Sequence, residues 1–301
     1  MYDFIGDIHG HSDKLKALLE KLGYKMQGGV YQHPTRKAFF LGDFIDRGPK
    51  ILEVLNIVIP MFEKGSALSV MGNHEYNYLS FHTQTKTGDG KYLRDRTVKN
   101  IEQCQETIDQ LVTPFSKSEN QRLLDWIWHL PLWFETESFR AVHACWDDKS
   151  IANIKSTNFN SLMNEDLLHS SAIKNSHSYE AIEILLKGKE VKLPPELYFK
   201  DKDQNERKEA RVCWWDISRK ILIPTKGLDP KIYEMHKKNL QVEDEKIPKP
   251  TFFGHYWEKW PTKEINPKAV CLDFSVANEG HLGAYRFDGE DELTSDKLIH
   301  V

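Results

Sequence analysis

The sequence predicts an α/β fold in which polar residues follow the ends of buried strands. The chain of 301 residues is long enough to bury a sizeable core. Apolar runs that are typical of strands alternate with helical patterns, and each of the first three strands ends in a polar segment that contains glycine. Because ligands bind at the carboxyl ends of strands in open α/β sheets, we expect a ligand site there.

The first strand–loop–helix unit begins the chain. A strand at 2–5 is followed by Gly6-Asp7-Ile8-His9-Gly10, in which Asp7 and His9 can face the same side of an extended segment. Ser12 is the predicted N-cap of the next helix. The helix is indicated by leucines at helical spacing, which are Leu15, Leu18, Leu19 and Leu22.

Two further units repeat this order. A strand at 37–41 leads into Gly42-Asp43-Phe44-Ile45-Asp46-Arg47-Gly48, and Pro49 is the predicted first residue of the following helix. That helix is expected to end or kink at Pro60. A strand at 67–71 then leads into Gly72-Asn73-His74-Glu75. All three units therefore present polar residues at the same end of a strand.

The rest of the chain supplies two more histidines in similar positions. His143 follows a strand at 139–142, and Gly254-His255 follows a strand at 251–253, before final strands at 269–274 and 282–287. Residues from about 147 to 250 are rich in Lys, Glu, Asn and Ser. We interpret them as a cap or insertion, so that residues 1–301 form one domain.

Composition limits the function. The net charge of −4 and the pI near 6.4 do not suggest a general nucleic-acid or membrane-surface binder. The four cysteines are scattered and are expected to be reduced. The apolar stretch at 51–62 is too short to span a membrane, and we expect no signal peptide. These observations predict a soluble, cytoplasmic protein.

The polar residues at the strand ends are carboxylates, imidazoles and an amide, with one arginine and no thiolate. Such mixed oxygen and nitrogen ligands suit Mn²⁺, Fe or Zn²⁺ better than Ca²⁺. In isolation, a strand-end aspartate also suits a turn or an ion pair, and a lone histidine is more often structural. The candidates are Asp7, His9, Asp43, Asp46, Arg47, Asn73, His74, His143 and His255.

The three motifs, followed in order by His143 and Gly254-His255, closely resemble those of the calcineurin-like metallophosphoesterases. Within this family, the motifs resemble those of the phosphoprotein-phosphatase superfamily, which includes bacterial and phage serine/threonine phosphatases and diadenosine tetraphosphatases. The resemblance covers residues 1–80 well and isolated points beyond. It implies a two-sheet β-sandwich flanked by helices in four layers, with a helical or irregular insertion.

The resemblance also implies a site with two divalent metal ions, foremost Mn²⁺, with Fe or Zn²⁺ as alternatives. Asp7 and His9 would bind the first ion, and Asp43 would bridge both. The other ligands of the second ion would be Asn73, His143 and His255. Two ions about 4 Å apart can share a bridging hydroxide, lower its pKa and direct it at a phosphate ester.

Three residues would act on the substrate in this scheme. His74 would be the general acid that protonates the leaving oxygen, and Asp46 would orient its ring. Arg47 would bind the phosphate, which suits the planar fork of a guanidinium. A structural ion pair for Asp46 and a surface salt bridge for Arg47 are the simpler alternatives.

Three functions follow as hypotheses. The first is a phosphomonoesterase of the protein-phosphatase type, the alternative is a bis(5′-nucleosyl)-tetraphosphatase, and the second alternative is a non-enzymatic metal-binding module. The expected substrate is a phosphorylated small molecule, a nucleotide or a phosphoprotein.

The sequence also departs from the family pattern. It has His143-Ala144-Cys145 where His-Ala-Gly is common, and Gly254-His255-Tyr256-Trp257 where Gly-His-Thr-Pro is common. Many phosphatases of this superfamily have a second phosphate-binding arginine, which follows a tryptophan before the last histidine motif. Here Trp214-Trp215 stands in that region, but Arg211 and Arg219 are out of register with that position. The aromatic pairs Trp214-Trp215 and Tyr256-Trp257 are interpreted as core residues in preference to a base-stacking surface, and stacking of Trp257 or Trp214 on adenine would favour the tetraphosphatase.

Overall fold

The chain forms two compact units in the computed structural model. One comprises Met1–Lys187 and Lys249–Val301, and the other comprises Gly188–Pro248. The structure describes residues 1–112, 117–157, 160–194, 197–200, 206–216, 218–222, 233–235, 240, 242, 246–260 and 265–301. The insertion expected at about 147–250 therefore includes the last part of Met1–Lys187 and all of the second unit. Its role as a cap stays a prediction.

The elements of the first unit before residue 188 alternate between strands and helices, as the sequence predicts. They begin with β1 (Tyr2–Ile5), α1 (Ser12–Lys21), β2 (Lys25–Gln27), β3 (Val30–Gln32), β4 (Lys37–Phe40), α2 (Ile51–Glu63), β5 (Ala67–Ser69) and α3 (Asn73–His82). They continue with α4 (Val98–Leu111), α5 (Lys117–Ile127), β6 (Trp133–Glu135), β7 (Arg140–Val142), α6 (Asp148–Thr157), α7 (Glu165–Ser171) and α8 (His177–Lys187).

The second unit contributes short strands, and the chain then returns to the first unit. The strands of the second unit are β8 (Glu190–Lys192), β9 (Phe199–Lys200), β10 (Glu206–Arg207) and β11 (Glu209–Arg211). The returning strands are β12 (Thr251–Phe253), β13 (Ala269–Cys271), β14 (Asp273–Phe274), β15 (His281–Phe287) and β16 (Leu298–His300).

Two main sheets form the first unit. One has the order β14-β15-β1-β4-β5, with β16 paired to β15, and its strands β1, β4 and β5 are parallel. The other has the order β13-β12-β7-β6, in which β12 is parallel to both β13 and β7. The predicted α/β class is confirmed.

The main core lies between these two sheets. Phe4 of β1 stacks on Phe252 of β12 with ring centroids 3.6 Å apart, and Phe139 meets Phe4 edge to face. Such buried rings each contribute about 1.5–3 kcal/mol by leaving water. Helices α1 and α2 pack beside β15 and β5, whereas Lys155 of α6 lies over Trp133 of β6. The arrangement agrees with two sheets flanked by helices.

Two helix starts differ from the prediction. Ser12 does not cap α1, because His11 occupies the N-cap position and the Ser12 hydroxyl donates to Glu53 at 2.8 Å. Helix α2 begins at Ile51, two residues after Pro49, and it continues past Pro60. Each difference arises from local contacts or geometry that the residue pattern does not encode.

The second unit has its own apolar cluster. Strand β8 pairs with β11, and β9 pairs with β10, both antiparallel. The cluster comprises Leu193, Leu197, Ala210, Ile221, Tyr233 and Leu240. Trp214 and Trp215 are buried in this unit, as expected of core aromatics. Within the described ranges, no helix combines the length and the apolar character needed to cross a membrane.

Candidate metal centre and active site

The structure brings all nine predicted site residues into the first unit, at the carboxyl ends of strands from both main sheets. Backbone and ring contacts join the sheets there. His143, after β7, donates from Nδ1 to the Leu41 carbonyl at 2.7 Å, and the backbone N–H of His255 donates to the Asp7 carboxylate at 3.1 Å. The nine residues are Asp7, His9, Asp43, Asp46, Arg47, Asn73, His74, His143 and His255.

Asp43 lies at the centre of this constellation. Its Oδ2 is 3.5 Å from His9 Nε2, and its Oδ1 is 3.5 Å from His143 Nε2. Among the residues that the structure describes, two groups of side chains have ligand atoms within 4.8 Å of one another, close enough to hold a metal ion, and Asp43 belongs to both. The groups are His9, Asp43 and His74, and Asp43, His143 and His255. A carboxylate between two groups of imidazoles suits a bridging ligand.

The rings of His9 and His143 each direct Nε2 into the site. Nδ1 of His9 donates to the Ile45 carbonyl at 2.9 Å, which leaves the Nε2 lone pair directed into the site. Burial lowers the pKa of His9 well below its usual value, so the ring is neutral. In the described part of the chain, this Nε2 is buried without a hydrogen bond. Buried nitrogens of this kind fit a bound cation.

A second contact also fits a cation. The hydrogen bond from His143 Nδ1 to the Leu41 carbonyl turns Nε2 toward the side-chain amide oxygen of Asn73, 3.1 Å away. In a neutral imidazole, two lone pairs would then face each other. The pKa of His143 is lowered by burial but raised by Asp43, and it reaches about 10. The site therefore favours positive charge at this point, from a proton or from a metal ion.

Buried carboxylates give the site its negative charge. Burial and the nearby Asp273 raise the pKa of Asp7 well above its usual value. Burial also acts to raise the pKa of Asp43, but His143 and His74 outweigh it and hold that pKa well below its usual value. Clustered carboxylates away from water repel each other, and bound cations relieve that repulsion.

His74 and Asp46 form a short hydrogen bond. Nδ1 of His74 lies 2.6 Å from Asp46 Oδ2, and both side chains are buried. Burial lowers the pKa of His74, but the carboxylates of Asp43 and Asp46 reverse this and raise it. Nε2 of His74 is 3.2 Å from Nη2 of Arg47, whose side chain is exposed. Arg47 can only donate in this contact, so Nε2 accepts here, and Nε2 can carry a proton when Arg47 turns to an anion.

Trp257 is not a core aromatic, contrary to the sequence interpretation. Its side chain is 46% exposed, whereas Tyr256 is buried. The Arg47 guanidinium carbon lies 4.8 Å from the centroid of the Trp257 ring. The Trp257 backbone N–H donates to Asp273 Oδ2 at 3.0 Å, which fixes the start of this exposed turn. An exposed indole therefore adjoins the predicted phosphate-binding residue.

Much of the site has left-handed backbone conformation, which costs about 1–3 kcal/mol per residue other than glycine. A Cβ on Gly72 would overlap the Asp43 carboxylate, and one on Gly254 would overlap that of Asp7. Glycine is therefore required at both positions. The left-handed site residues have φ between 43° and 73°, and they are His9, Asp43, Asp46, Arg47 and His255.

Glu75 holds this strained segment in place. Its fully buried carboxylate accepts hydrogen bonds from the backbone N–H groups of Asp43 and Phe44, both at 2.9 Å. It also accepts from Ile45 at 3.3 Å and from Gly72 at 3.1 Å. Glu75 is not among the nine site residues predicted from the sequence. Its place three residues after Gly72, as in a capping box, is the signal for one of these bonds.

Replacing Glu75 with glutamine is expected to destabilise the protein by about 1–3 kcal/mol, because the new NH₂ group would face backbone donors and leave buried groups unpaired. Urea unfolding would measure the change. The exposed Glu63, changed to glutamine, is the matched control and should leave stability unchanged. An unfolding free energy within about 0.5 kcal/mol of wild type would contradict this role for Glu75.

Two further residues that contribute to the site were not predicted from the sequence. Asp273 is buried at the start of β14, and the same strand-end reasoning would have found it. Thr107 of α4 contacts Asp46 from 61 positions along the chain, and no motif marks it. Its burial on one face of α4 is visible only in the folded chain.

The two packed sheets and the buried cluster of carboxylates and imidazoles define an α/β protein with a candidate metal centre, and comparison with known families agrees. The chain belongs to the calcineurin-like phosphoesterase family, whose model matches residues 2–193. The resemblance of the three motifs is thereby confirmed, as is the prediction of a phosphoester hydrolase at the level of the family. The identity of the metal ions, the role of each site residue and the cytoplasmic location stay predictions.

Curated relatives match a shorter segment. A bis(5′-nucleosyl)-tetraphosphatase (asymmetrical) of Halalkalibacterium halodurans is 49% identical over 74 residues, which is 24% of this chain and 30% of the relative. The enzyme of the same name from Bacillus subtilis strain 168 is 48% identical over 82 residues, 26% of this chain and 34% of the relative. The chain thus spans about a third of the length of these relatives.

Among solved structures, a protein serine/threonine phosphatase from Saccharomyces cerevisiae is similar at 14% identity with a TM-score of 0.49, covering 100% of this chain and 78% of that one. A cold-active protein-tyrosine phosphatase of a Shewanella species has 15% identity and a TM-score of 0.46, covering 95% of this chain and 75% of that one. No functional conclusion depends on these likenesses.

Proposed function

We propose that the protein is a phosphoesterase that binds two divalent cations, Mn²⁺ foremost. One observation carries the proposal: the two carboxylate oxygens of Asp43 each lie 3.5 Å from a different inward-facing imidazole, that of His9 and that of His143. Asp7 would complete the first cation site. Asn73 and His255 would complete the second. The near-complete burial of these side chains supports a site that excludes bulk water.

Divalent cations at these ligands would neutralise phosphate charge and activate water. Side chains of the protein would supply the proton for the leaving oxygen and the contacts to the phosphate. Water adds to phosphorus, the bond from phosphorus to the leaving oxygen breaks, and that oxygen takes the proton from Nε2 of His74. Asp46 accepts the hydrogen bond from the protonated Nδ1 of His74 and so holds the ring orientation, and the proton that water releases restores the imidazolium. The exposed guanidinium of Arg47 binds the phosphate oxygens as a fork.

We propose a dinucleoside polyphosphate as the substrate, of the bis(5′-nucleosyl)-tetraphosphate class. The names of the relatives support this class. The exposed ring of Trp257 beside Arg47 supports it physically, because an indole next to a phosphate-binding group offers a surface on which a nucleobase can stack. The phosphomonoesterase expected from the sequence would use the same centre, so only substrate choice separates the two. The complete set of ligands opposes a non-enzymatic module.

A substrate panel tests the proposal. With Mn²⁺ added, kcat/KM would be compared for diadenosine tetraphosphate, p-nitrophenyl phosphate and a phosphoserine peptide. We expect the dinucleotide to be preferred by at least about tenfold, a difference of about 1.4 kcal/mol. Preference for the aryl phosphate or the peptide would favour the phosphomonoesterase. No hydrolysis of any of them would overturn both.

Removal of metal is expected to abolish turnover. Dialysis against a chelator should reduce activity to background, and Mn²⁺ should restore it, because the cations would activate the attacking water and neutralise phosphate charge. Elemental analysis would report the metal content of the same samples, and far-ultraviolet circular dichroism would control for unfolding. Full activity in protein shown to be free of metal would rule out the cation-dependent mechanism.

Changing Trp257 to alanine is expected to raise KM for diadenosine tetraphosphate about 5- to 150-fold, since stacking on a base contributes about 1–3 kcal/mol. Trp257→Phe keeps an aromatic surface and should retain most of the affinity. Hydrolysis of p-nitrophenyl phosphate, which has no base, reports any general damage. An equal loss on both substrates would argue against a base-stacking role.

A further inference from the structure

Helix α4 contacts the segment that bears Asp46, although α4 provides no predicted ligand. Thr107 is fully buried on the inner face of this helix. Its hydroxyl donates to Asp46 Oδ1 and also accepts the backbone N–H of Asp46 at 3.0 Å. One hydroxyl has a proton to give and lone pairs to receive, so both bonds form together. A single side chain therefore fixes both the backbone and the carboxylate of Asp46.

The carboxylate of Asp46 divides its oxygens between two partners. Oδ1 accepts from Thr107, and Oδ2 accepts from Nδ1 of His74 at 2.6 Å. With both oxygens bonded and the side chain only 2% exposed, the plane of the carboxylate is set from both sides. The direction in which it presents Oδ2 to the imidazole thus depends on Thr107.

A second residue of α4 holds the same segment three positions later. Gln110 donates from Nε2 to the Gly48 carbonyl at 3.2 Å, and its Oε1 accepts the Ile51 backbone N–H at 2.7 Å. Thr107 and Gln110 lie on neighbouring turns of one helix face. Between their contacts, Asp46 and Arg47 have φ of 64° and 68°. The helix thereby stabilises a backbone conformation that these residues rarely adopt.

We propose that Thr107 is a positioning residue for proton transfer, acting through Asp46 on His74, with Gln110 securing the same segment. The inference rests on the proposed function, in which His74 protonates the leaving oxygen. It adds a dependence of that step on α4, which lies outside every motif of the sequence.

The test is a series of phosphate monoesters with leaving groups of increasing pKa, from p-nitrophenol to phenol, measured with Mn²⁺. Good leaving groups need little protonation, whereas poor ones depend on the acid. Thr107→Val, which keeps the shape without the hydroxyl, should reduce kcat/KM for phenyl phosphate about 10- to 100-fold, and much less for p-nitrophenyl phosphate. Thr107→Ser should restore the wild-type slope of log kcat/KM plotted against the pKa of the leaving group. Glu106→Gln, on the exposed face of α4, is the matched control.

The outcomes separate the two proposals. A steeper slope in Thr107→Val that Thr107→Ser restores supports the positioning role. An unchanged slope, or a uniform loss that serine does not repair, overturns it. If His74→Asn itself leaves the slope unchanged, the acid role of His74 fails instead.

A second readout needs no turnover. In protein labelled with ¹⁵N-histidine and supplied with diamagnetic Mg²⁺, the Nδ1 proton of His74 should exchange faster with water in Thr107→Val than in wild type or Thr107→Ser. Equal exchange in all three proteins would overturn the inference even if no substrate were hydrolysed.

Discussion

Replacing Asp43 with asparagine is expected to lower kcat/KM for diadenosine tetraphosphate and for p-nitrophenyl phosphate by about 10³-fold or more, the equivalent of about 4 kcal/mol. Asparagine keeps the size of the side chain and can still accept the backbone N–H of His74, which Asp43 now binds at 3.0 Å. It removes the negative charge shared by both proposed cation sites, and it places an NH₂ group where a ligand oxygen was. Both sites should weaken together.

Metal content distinguishes this explanation from unfolding. Elemental analysis of Asp43→Asn should show loss of bound cation, while circular dichroism should show an intact fold. Asp13→Asn is the matched control, because Asp13 is exposed and pairs with Lys50 away from the site. Near-wild-type turnover by Asp43→Asn would refute the bridging role.

Changing His74 to asparagine is expected to reduce turnover about 10²- to 10⁴-fold for substrates with poor leaving groups, the usual contribution of a positioned general acid. The loss should be smaller for p-nitrophenyl phosphate, whose leaving group departs without a proton. The short bond to Asp46 and the raised pKa of His74 support this expectation, because both favour a protonated ring.

The leaving-group series separates this role from metal binding. His74 also belongs to one of the two possible ligand groups, with His9 and Asp43. A ligand role would reduce metal content and would lower all rates alike. The matched control is His129→Asn, since His129 is exposed, contacts the Asp125 carbonyl one turn earlier and lies outside the constellation. Equal losses on every ester would contradict the acid role.

The sequence was most informative where chemistry and backbone geometry share one short segment. The motifs around Asp7, Asp43 and Asn73 combine polar residues with glycines, and the structure needs both, as the crowded Gly72 illustrates. His143 and His255 were harder to assign, since each follows a strand from a different sheet. Their place beside Asp43 and Asp7 depends on how the two sheets pack.

Other contributors could not be read from the sequence, because their roles arise from tertiary contacts. Thr107 lies on a helix whose sequence is ordinary, and its partner is 61 positions away. Trp257 was misjudged because an aromatic beside an apolar strand usually faces the core. Here the left-handed turn at Trp257, with φ of 54°, directs the ring outward.

The location of the proposed metal ligands along the chain has a consequence for folding. They extend from Asp7 to His255, and β1 pairs on one side with β4 and on the other with β15, close to the end of the described chain. Contacts between such distant parts form late, because loop closure must come first. During synthesis, a nascent chain that has emerged only as far as the second unit lacks His255 and β15, one of the two partner strands of β1. The proposed cation pair can therefore bind only to a fully assembled first unit, and its binding energy then stabilises that state alone.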